Sequence, residues 1–362
     1  MKEYNRFMKN SKNKVIQSWI FVSVCFFVLI LGITAYVTKD DIQRRNCTFT
    51  DIGFDTPVQF QATCSKKEFE TYSSIVKRTF QKQNDIFDVF EPNSVMFEVN
   101  EKAYTSPVEI PDTLHEVIEK SQQAYALNPA FDISQGYLLQ AWHDIREAKN
   151  PDLSQIENNT FEYGMDAIVL NEHSIHFTKD IHLDLGGIAK GYTAQLAKEA
   201  LNEAGLHNGF INAGGNVVLL GEKEDGSDWT IGIQNPDSQE SIVQVSTKKP
   251  IAFVTSGDYQ RYVNINGINY GHIIDPKTKY PATYVRSVTV LHEDSGFADA
   301  MSTALFCMSV EDGMKFCEEN NLQAIWITEK NDEDCFLQTE DFNIYATKAI
   351  QPSVELSQNF TK

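Results

Sequence analysis

The sequence predicts a mixed α+β domain, with antiparallel-rich sheet and packed helices, behind one N-terminal transmembrane helix. Strand-length apolar runs and amphipathic helical stretches interleave without the regular β-α repeat of a doubly wound fold. The chain has 362 residues, of which 42% are hydrophobic and 22% charged, enough for one large domain or two small ones. Residues 19–37 are almost wholly apolar, broken only by Ser23, Gly32 and Thr34, and a helix of that length spans a bilayer.

Lys2, Arg6, Lys9, Lys12 and Lys14 precede that run with only Glu3 opposing them. Basic residues stay on the cytoplasmic side, so everything after Lys39 is expected outside. A cleaved secretory signal, with small residues at Gly32 to Ala35, is a competing reading. A lipoprotein signal fits less well, because Val24 precedes Cys25. The expected organisation is a cytoplasmic tail (1–15), a membrane signal anchor (16–37), a charged linker (38–48), a folded domain (49–348) and a flexible tail (349–362).

The net charge of −19, without a basic stripe, argues against a nucleic-acid partner. A polyphosphate bound by so acidic a protein would need a cation to offset charge. Five cysteines, Cys47, Cys64, Cys307, Cys317 and Cys335, follow the apolar run; an odd number cannot all pair internally, and no spacing suggests zinc.

In chain order, residues 52–62 alternate as a strand does, and residues 69–87 have apolar positions at helical spacing. A further helix is expected over 111–126, opening on a proline suited to a first turn. Strands are expected at 168–170, 174–177, 181–185, 210–220, 229–233, 241–245, 251–255 and 285–291. Helices are expected at 193–204, 298–308 and 310–319.

The stretch His182-Leu-Asp-Leu-Gly-Gly-Ile-Ala-Lys-Gly-Tyr192 places an acid, a glycine pair and a lysine on one strand-to-helix turn. Glycines at a helix start let the backbone approach an anion, where free N–H groups and the helix dipole favour negative charge. The plainer reading is a tight connection with an incidental lysine. Four loop clusters accompany it: Pro129 to Gly136; Asn212-Ala-Gly-Gly-Asn216, whose glycines suggest a bulge or a close approach to a ligand; Thr255 to Arg261, a turn with an incidental arginine on its plainest reading; and His272-Ile-Ile-Asp-Pro-Lys-Thr278. In Ala298 to Leu305, Asp299 and Thr303 stand at i and i+4, on one face of a helix. With a carbonyl from the glycine turn they would give hard oxygen ligands of the kind magnesium takes, or Asp299 could simply stabilise a helix start.

The order FDISQG, DLGGIAKGY, NAGGN, TSGDYQRY, HIIDPKT and ADAMSTAL resembles that of the ApbE-type family of FAD:protein FMN transferases, over nearly all of 49–348. The resemblance implies an ApbE or T-fold-like architecture and a magnesium-dependent enzyme that splits its substrate FAD at the pyrophosphate. FMN would pass to a threonine of an extracytoplasmic acceptor protein of an electron-transfer system, with release of AMP; some similar proteins instead hydrolyse FAD. It further implies metal ligation by the Gly187 carbonyl, Asp299 and Thr303, and FAD contacts from Phe54, Pro129, Ala130, Phe131, Asp184, Lys190 and Ile273. Phe54 stands where the family often has methionine. A weakly acidic hydroxyl needs a base near its proton; His272 is the first candidate and Asp258 the second, while Asp275 either orients the histidine or caps the turn before Pro276.

Overall fold

Runs such as Ser287–His292 and Gln323–Glu329, buried at successive positions, belong in a sheet covered on both faces. The computed structural model describes Met1 and residues 41–331 and 334–360. The expected membrane anchor lies outside the described residues, and no helix among those described is long and apolar enough to cross a membrane. The chain divides into two units, Met1–Arg45 with Thr63–Phe69, and Asn46–Ala62 with Glu70–Lys362. The second holds every residue lining the large cavity.

The elements run β1 (Gln43–Phe49), β2 (Val58–Cys64), α1 (Lys66–Phe87), α2 (Val95–Lys102), β3 (Val108–Glu109), α3 (Asp112–Leu127), α4 (Gly136–Glu147), α5 (Ser154–Asn158), β4 (Ile168–Asn171) and β5 (Ser174–Phe177). They continue with α6 (Ala189–Glu203), β6 (Phe210–Ala213), β7 (Asn216–Leu219), β8 (Trp229–Gln234), β9 (Ser241–Thr247), β10 (Ala252–Gly257), β11 (Tyr262–Ile265), β12 (Ile268–Gly271) and β13 (Ser287–His292). The chain closes with α7 (Ser295–Phe306), α8 (Val310–Asn320), β14 (Gln323–Glu329), β15 (Leu337–Gln338), β16 (Phe342–Ala346) and β17 (Val354–Leu356). Among the described residues the main sheet has the order β1-β2-β6-β7-β10-β13-β14-β16-β15, with antiparallel neighbours from β2 onward, and small sheets β17-β9-β8, β3-β5-β4 and β11-β12 accompany it.

The register explains the continuous burial. Phe253 pairs with Leu291, and both join Trp229, Val243, Val245, Ile344 and Val354 in a core shared with β8, β9 and β17. The next pair, Val254 with Val290, faces the opposite side, where α7 packs on β10 and β13.

Several elements differ from expectation for identifiable reasons. Residues 52–57 form a turn, because Gly53, Phe54 and Asp55 all take positive φ (101°, 60° and 47°), and the strand starts only at Val58. The run expected as one strand over 210–220 is the hairpin β6–β7, turned at Gly214 and Gly215 (φ 59° and 100°) with the Asn212 Oδ1 accepting from the Gly215 N–H at 3.0 Å. The glycines therefore serve a turn, not a bulge. Residues 181–185 keep their alternation, with Ile181, Leu183 and Leu185 buried, yet make no strand beyond one bridge between His182 and Gln135. The Asn100 amide takes a neighbouring strand's place, accepting from the Leu183 N–H at 2.8 Å and donating to its carbonyl at 2.9 Å. Helix α4 was absent from the expected elements. At the ends, β1 begins at Gln43, inside the stretch expected as linker, and β17, in the stretch expected as a flexible tail, pairs with β9 and buries Val354.

One crossing positions the candidate site. Gly191 in α6 lies against α7, where an added Cβ would sit 2.3 Å from the Ser295 carbonyl and 2.6 Å from the Asp299 Cβ. Only a residue without a side chain lets these helices approach so closely. Gly191→Ala should therefore cost about 1–3 kcal/mol through overpacking, despite alanine's better helix propensity, as read by chemical denaturation.

Candidate active site

The turn between Leu183 and α6 is closed by its own bonds. The Asp184 N–H donates to the Ile133 carbonyl at 2.8 Å, and the Gly186 N–H to Asp184 Oδ1 at 2.7 Å. The N–H groups of Ile188 and Ala189 both reach the Leu185 carbonyl, at 2.9 and 2.8 Å, and that of Gly191 donates to Asp299 Oδ2 at 2.8 Å. The expected cradle of outward N–H groups is thus largely occupied, and the helix begins at Ala189, two residues beyond the glycines. What the turn presents instead is oxygen.

The Gly187 carbonyl accepts from Thr303 Oγ1 at 3.4 Å, and a Cβ on Gly187 would come within 3.1 Å of both that hydroxyl and Phe131 Cε2. Asp299 and Thr303 share one face of α7, and the Gly191 contact brings that face to the turn. Asp299 is 4% exposed; burial pushes its carboxyl above the ordinary range, opposed by the Lys190 ammonium and the Gly191 N–H. No group of three or more His, Cys, Asp or Glu able to hold a metal occurs among the described residues. A cation here would have one carboxylate, one hydroxyl and one carbonyl. That donor set fits magnesium, which keeps most of its waters and takes the remainder from substrate phosphate.

These residues line a cavity of about 1230 Å³, larger than an ordinary small-molecule pocket and roomy enough for a dinucleotide. Phe54, Ala130, Phe131, Asp184, Gly187, Lys190, His272, Ile273, Asp299 and Thr303 all face it. Asp184 is raised by burial, against the pull of the Gly186 N–H, Lys190, Arg146 and His143. Phe54 holds its place through its N–H to Asn84 Oδ1 at 2.9 Å and an edge-on contact with Phe80 at 5.9 Å. Aromatic surface also comes from Phe90, stacked on His143 at 4.3 Å.

The His272 imidazole is pushed down to about 3, chiefly by burial and then by the charges of Lys190, Arg261 and Arg146, while a hydrogen bond to the Arg261 backbone pulls the other way. Its Nδ1 is buried without a hydrogen-bond partner. A neutral ring with a free nitrogen can take a proton, and an anion beside those cations would raise its basicity.

The sequence reading missed Arg146, on the unassigned helix α4, and gave Arg261 no role beyond the plainest reading of its turn. Arg261 donates to the Asp55 carbonyl at 2.9 Å and pins the Phe54 turn. The signal available in the sequence was the position of Arg146 one turn beyond the buried Trp142, but it is visible only once α4 is known to be a helix.

The ApbE family model matches residues 54–326. The chain belongs to the ApbE family. Among its relatives, an FAD:protein FMN transferase of Vibrio cholerae is 28% identical over 293 residues, covering 78% of this chain and 84% of that protein. One of Klebsiella pneumoniae is 29% identical over 271 residues, covering 73% and 84%. The solved ApbE protein of Thermotoga maritima superposes with a TM-score of 0.71 at 29% identity, covering 78% of this chain and 94% of that one. The flavin transferase ApbE of V. cholerae shares the fold, with a TM-score of 0.73 at 24% identity and coverage of 86% and 99%.

Two expectations for this ApbE chain need correction, and one open alternative is decided. Asp258 does not line the cavity; its Oδ2 is tied to the Arg286 Nε at 2.8 Å, and Arg286 also holds Asp237 at 2.9 Å and contacts Glu329, so Asp258 is engaged as an ion-pair partner. Pro129 is exposed and outside the lining, while its neighbours Ala130 and Phe131 face inward. Asp275 caps its turn, accepting from the Lys277 N–H at 2.8 Å, and does not orient His272.

The depressed His272 value has a pH consequence. Between about 3 and the usual 6.5 the unfolded ring binds a proton that the folded ring does not, so this group adds stability above the unfolded value and loses it as pH falls toward 3. Ring resonances assigned through His272→Asn should stay in the neutral form from pH 8 to 5 in the ligand-free protein; a midpoint inside that window would contradict the buried, cation-flanked environment.

Proposed function

We propose that this protein is a magnesium-dependent FAD:protein FMN transferase. The observation carrying the proposal is the gathering of hard oxygen donors (the Gly187 carbonyl, Asp299 and Thr303) and the cations Lys190, Arg146 and Arg261 around one large cavity. Such a cavity suits a ligand that is both polyphosphate and cation-bound. Family membership and the shared name of the relatives, FAD:protein FMN transferase, supply the flavin.

In this reading Gly187, Asp299 and Thr303 would hold the metal, which would supply charge neutralisation for a pyrophosphate. Lys190 adds positive charge beside them, and Phe54 with the Phe90–His143 pair offers faces for the flat rings of FAD. A threonine hydroxyl of the acceptor forms a new P–O bond to the FMN phosphorus, the bridging P–O bond breaks, and AMP leaves with the electron pair. His272 takes the hydroxyl proton on a free ring nitrogen. Positioning and charge account for most of the rate in such transfers, so a single neutral base is sufficient.

The reading extends to place. With residues 16–37 as an uncleaved membrane anchor and the basic residues before it held inside, the cavity would face the extracytoplasmic side and meet acceptor proteins of an electron-transfer system there. The sequence pattern of the first 39 residues supports this.

Incubation with FAD, magnesium and an FMN-domain acceptor should release AMP and add one FMN to the acceptor mass. AMP with free FMN and an unmodified acceptor would instead identify a pyrophosphatase, and uncleaved bound FAD a binding module. Asp299→Ala should lower the magnesium-dependent rate by about 10²-fold or more with the fold retained by circular dichroism; an unchanged rate would remove the metal from the account.

A further inference from the structure

Among the described residues, one cation lining the cavity has a side chain that nothing bonds. Of its three lining cations, Lys190 donates to the Gly186 carbonyl at 3.2 Å and Arg261 to the Asp55 carbonyl at 2.9 Å. Arg146 makes no side-chain hydrogen bond or ion pair with any described residue. Two lining carboxylates favour its charge without bonding it: Asp184, whose Oδ1 accepts from the Gly186 N–H, and Glu147, the next residue in sequence, where helical side chains do not face each other. The guanidinium is also half-buried. Burial, and then the neighbouring charge of Arg261, hold its pKa below the ordinary arginine value.

An arginine kept beside a second arginine in a partly dry wall, unpaired, is a costly arrangement in the absence of ligand. An anion entering the cavity would remove that cost, and a guanidinium is suited to grip two oxygens of one phosphate at once. Its mount is firm: Arg146 follows Ile145 and lies one turn after Trp142, which are 2% and 0% exposed, and the Trp142 Nε1 donates to the Lys279 carbonyl at 2.9 Å. The ordinary structural role for a basic residue here is to complement the helix C-terminus, since Arg146 is in the last turn of α4. That role would not require it to face a cavity beside Arg261 and His272.

We propose that Arg146 forms an anion subsite, separate from the oxygen-donor locus of Gly187, Asp299 and Thr303, that grips a phosphate of the flavin nucleotide and makes the cavity select phosphorylated flavins over riboflavin. The proposal rests on the flavin-nucleotide reading of the cavity and adds the residue that distinguishes its ligands.

The test compares binding of FAD and riboflavin, by flavin fluorescence without metal, to the parent protein and to Arg146→Gln and Arg146→Lys. Loss of a charge-assisted bond predicts FAD binding weakened by about tenfold to a hundredfold in Arg146→Gln, riboflavin binding changed by less than about twofold, and part of the FAD affinity kept in Arg146→Lys. The parent's preference for FAD should also shrink with added salt, and that salt dependence should be smaller in Arg146→Gln. Equal loss for both ligands would make Arg146 a structural residue and overturn the subsite, as would an unchanged FAD affinity; either result leaves the flavin reading standing. A parent protein that binds FAD no better than riboflavin would overturn the phosphate reading of the cavity and the subsite with it.

Discussion

The hydrogen bond from the Gly191 N–H to Asp299 Oδ2, 2.8 Å long, is the contact on which the candidate site depends. It exists because a glycine in α6 has no Cβ to collide with the Ser295 carbonyl, so the backbone of one helix reaches the carboxylate of another. The same approach brings Thr303, one turn along α7, to the Gly187 carbonyl. Two distant segments thereby present oxygen to one point. The sheet behind α7 holds it there, because β10 and β13 are buried on both faces and leave little room to shift.

Electrostatics complete the arrangement. The chain carries a net charge of −19, yet three cations face the same cavity as Asp299. Their combined effect is visible on His272, whose ring is held neutral to about 3 by burial and by Lys190, Arg261 and Arg146. A cavity of this kind is unfavourable when empty and favourable when a polyphosphate with its cation enters, which is the charge balance a pyrophosphate-splitting enzyme needs.

The fold class and the oxygen-donor residues were legible in the sequence because each rests on local pattern. The i, i+4 spacing of Asp299 and Thr303 is readable on any helix, and the strand 174–177 was found with its bounds intact. Errors arose where a distant partner decides the outcome. The side chain of Asn100 satisfies Leu183 and prevents residues 181–185 from joining a sheet, although their alternation is that of a strand. Asp258 resembled a base until Arg286, Asp237 and Glu329 were seen around it. The glycine turn resembled an anion cradle, but its N–H groups are used by the local acceptors Asp184 and Leu185 and by the distant Asp299, whose reach to the turn has no signature in the sequence. Arg146 was missed for the reverse reason: its significance is the absence of a partner, which no local pattern records.

The central claim is that one cation and one flavin nucleotide meet at the place where α7 touches the glycine turn. A crystal soaked with FAD and manganese, an anomalously scattering substitute for magnesium, tests it most directly. The account predicts one anomalous peak within coordinating distance of Asp299, Thr303 and the Gly187 carbonyl, touching the pyrophosphate, with the flavin ring inside the cavity beside Phe54. A peak elsewhere in the cavity, or a pyrophosphate bound at the turn without any ion, would contradict it.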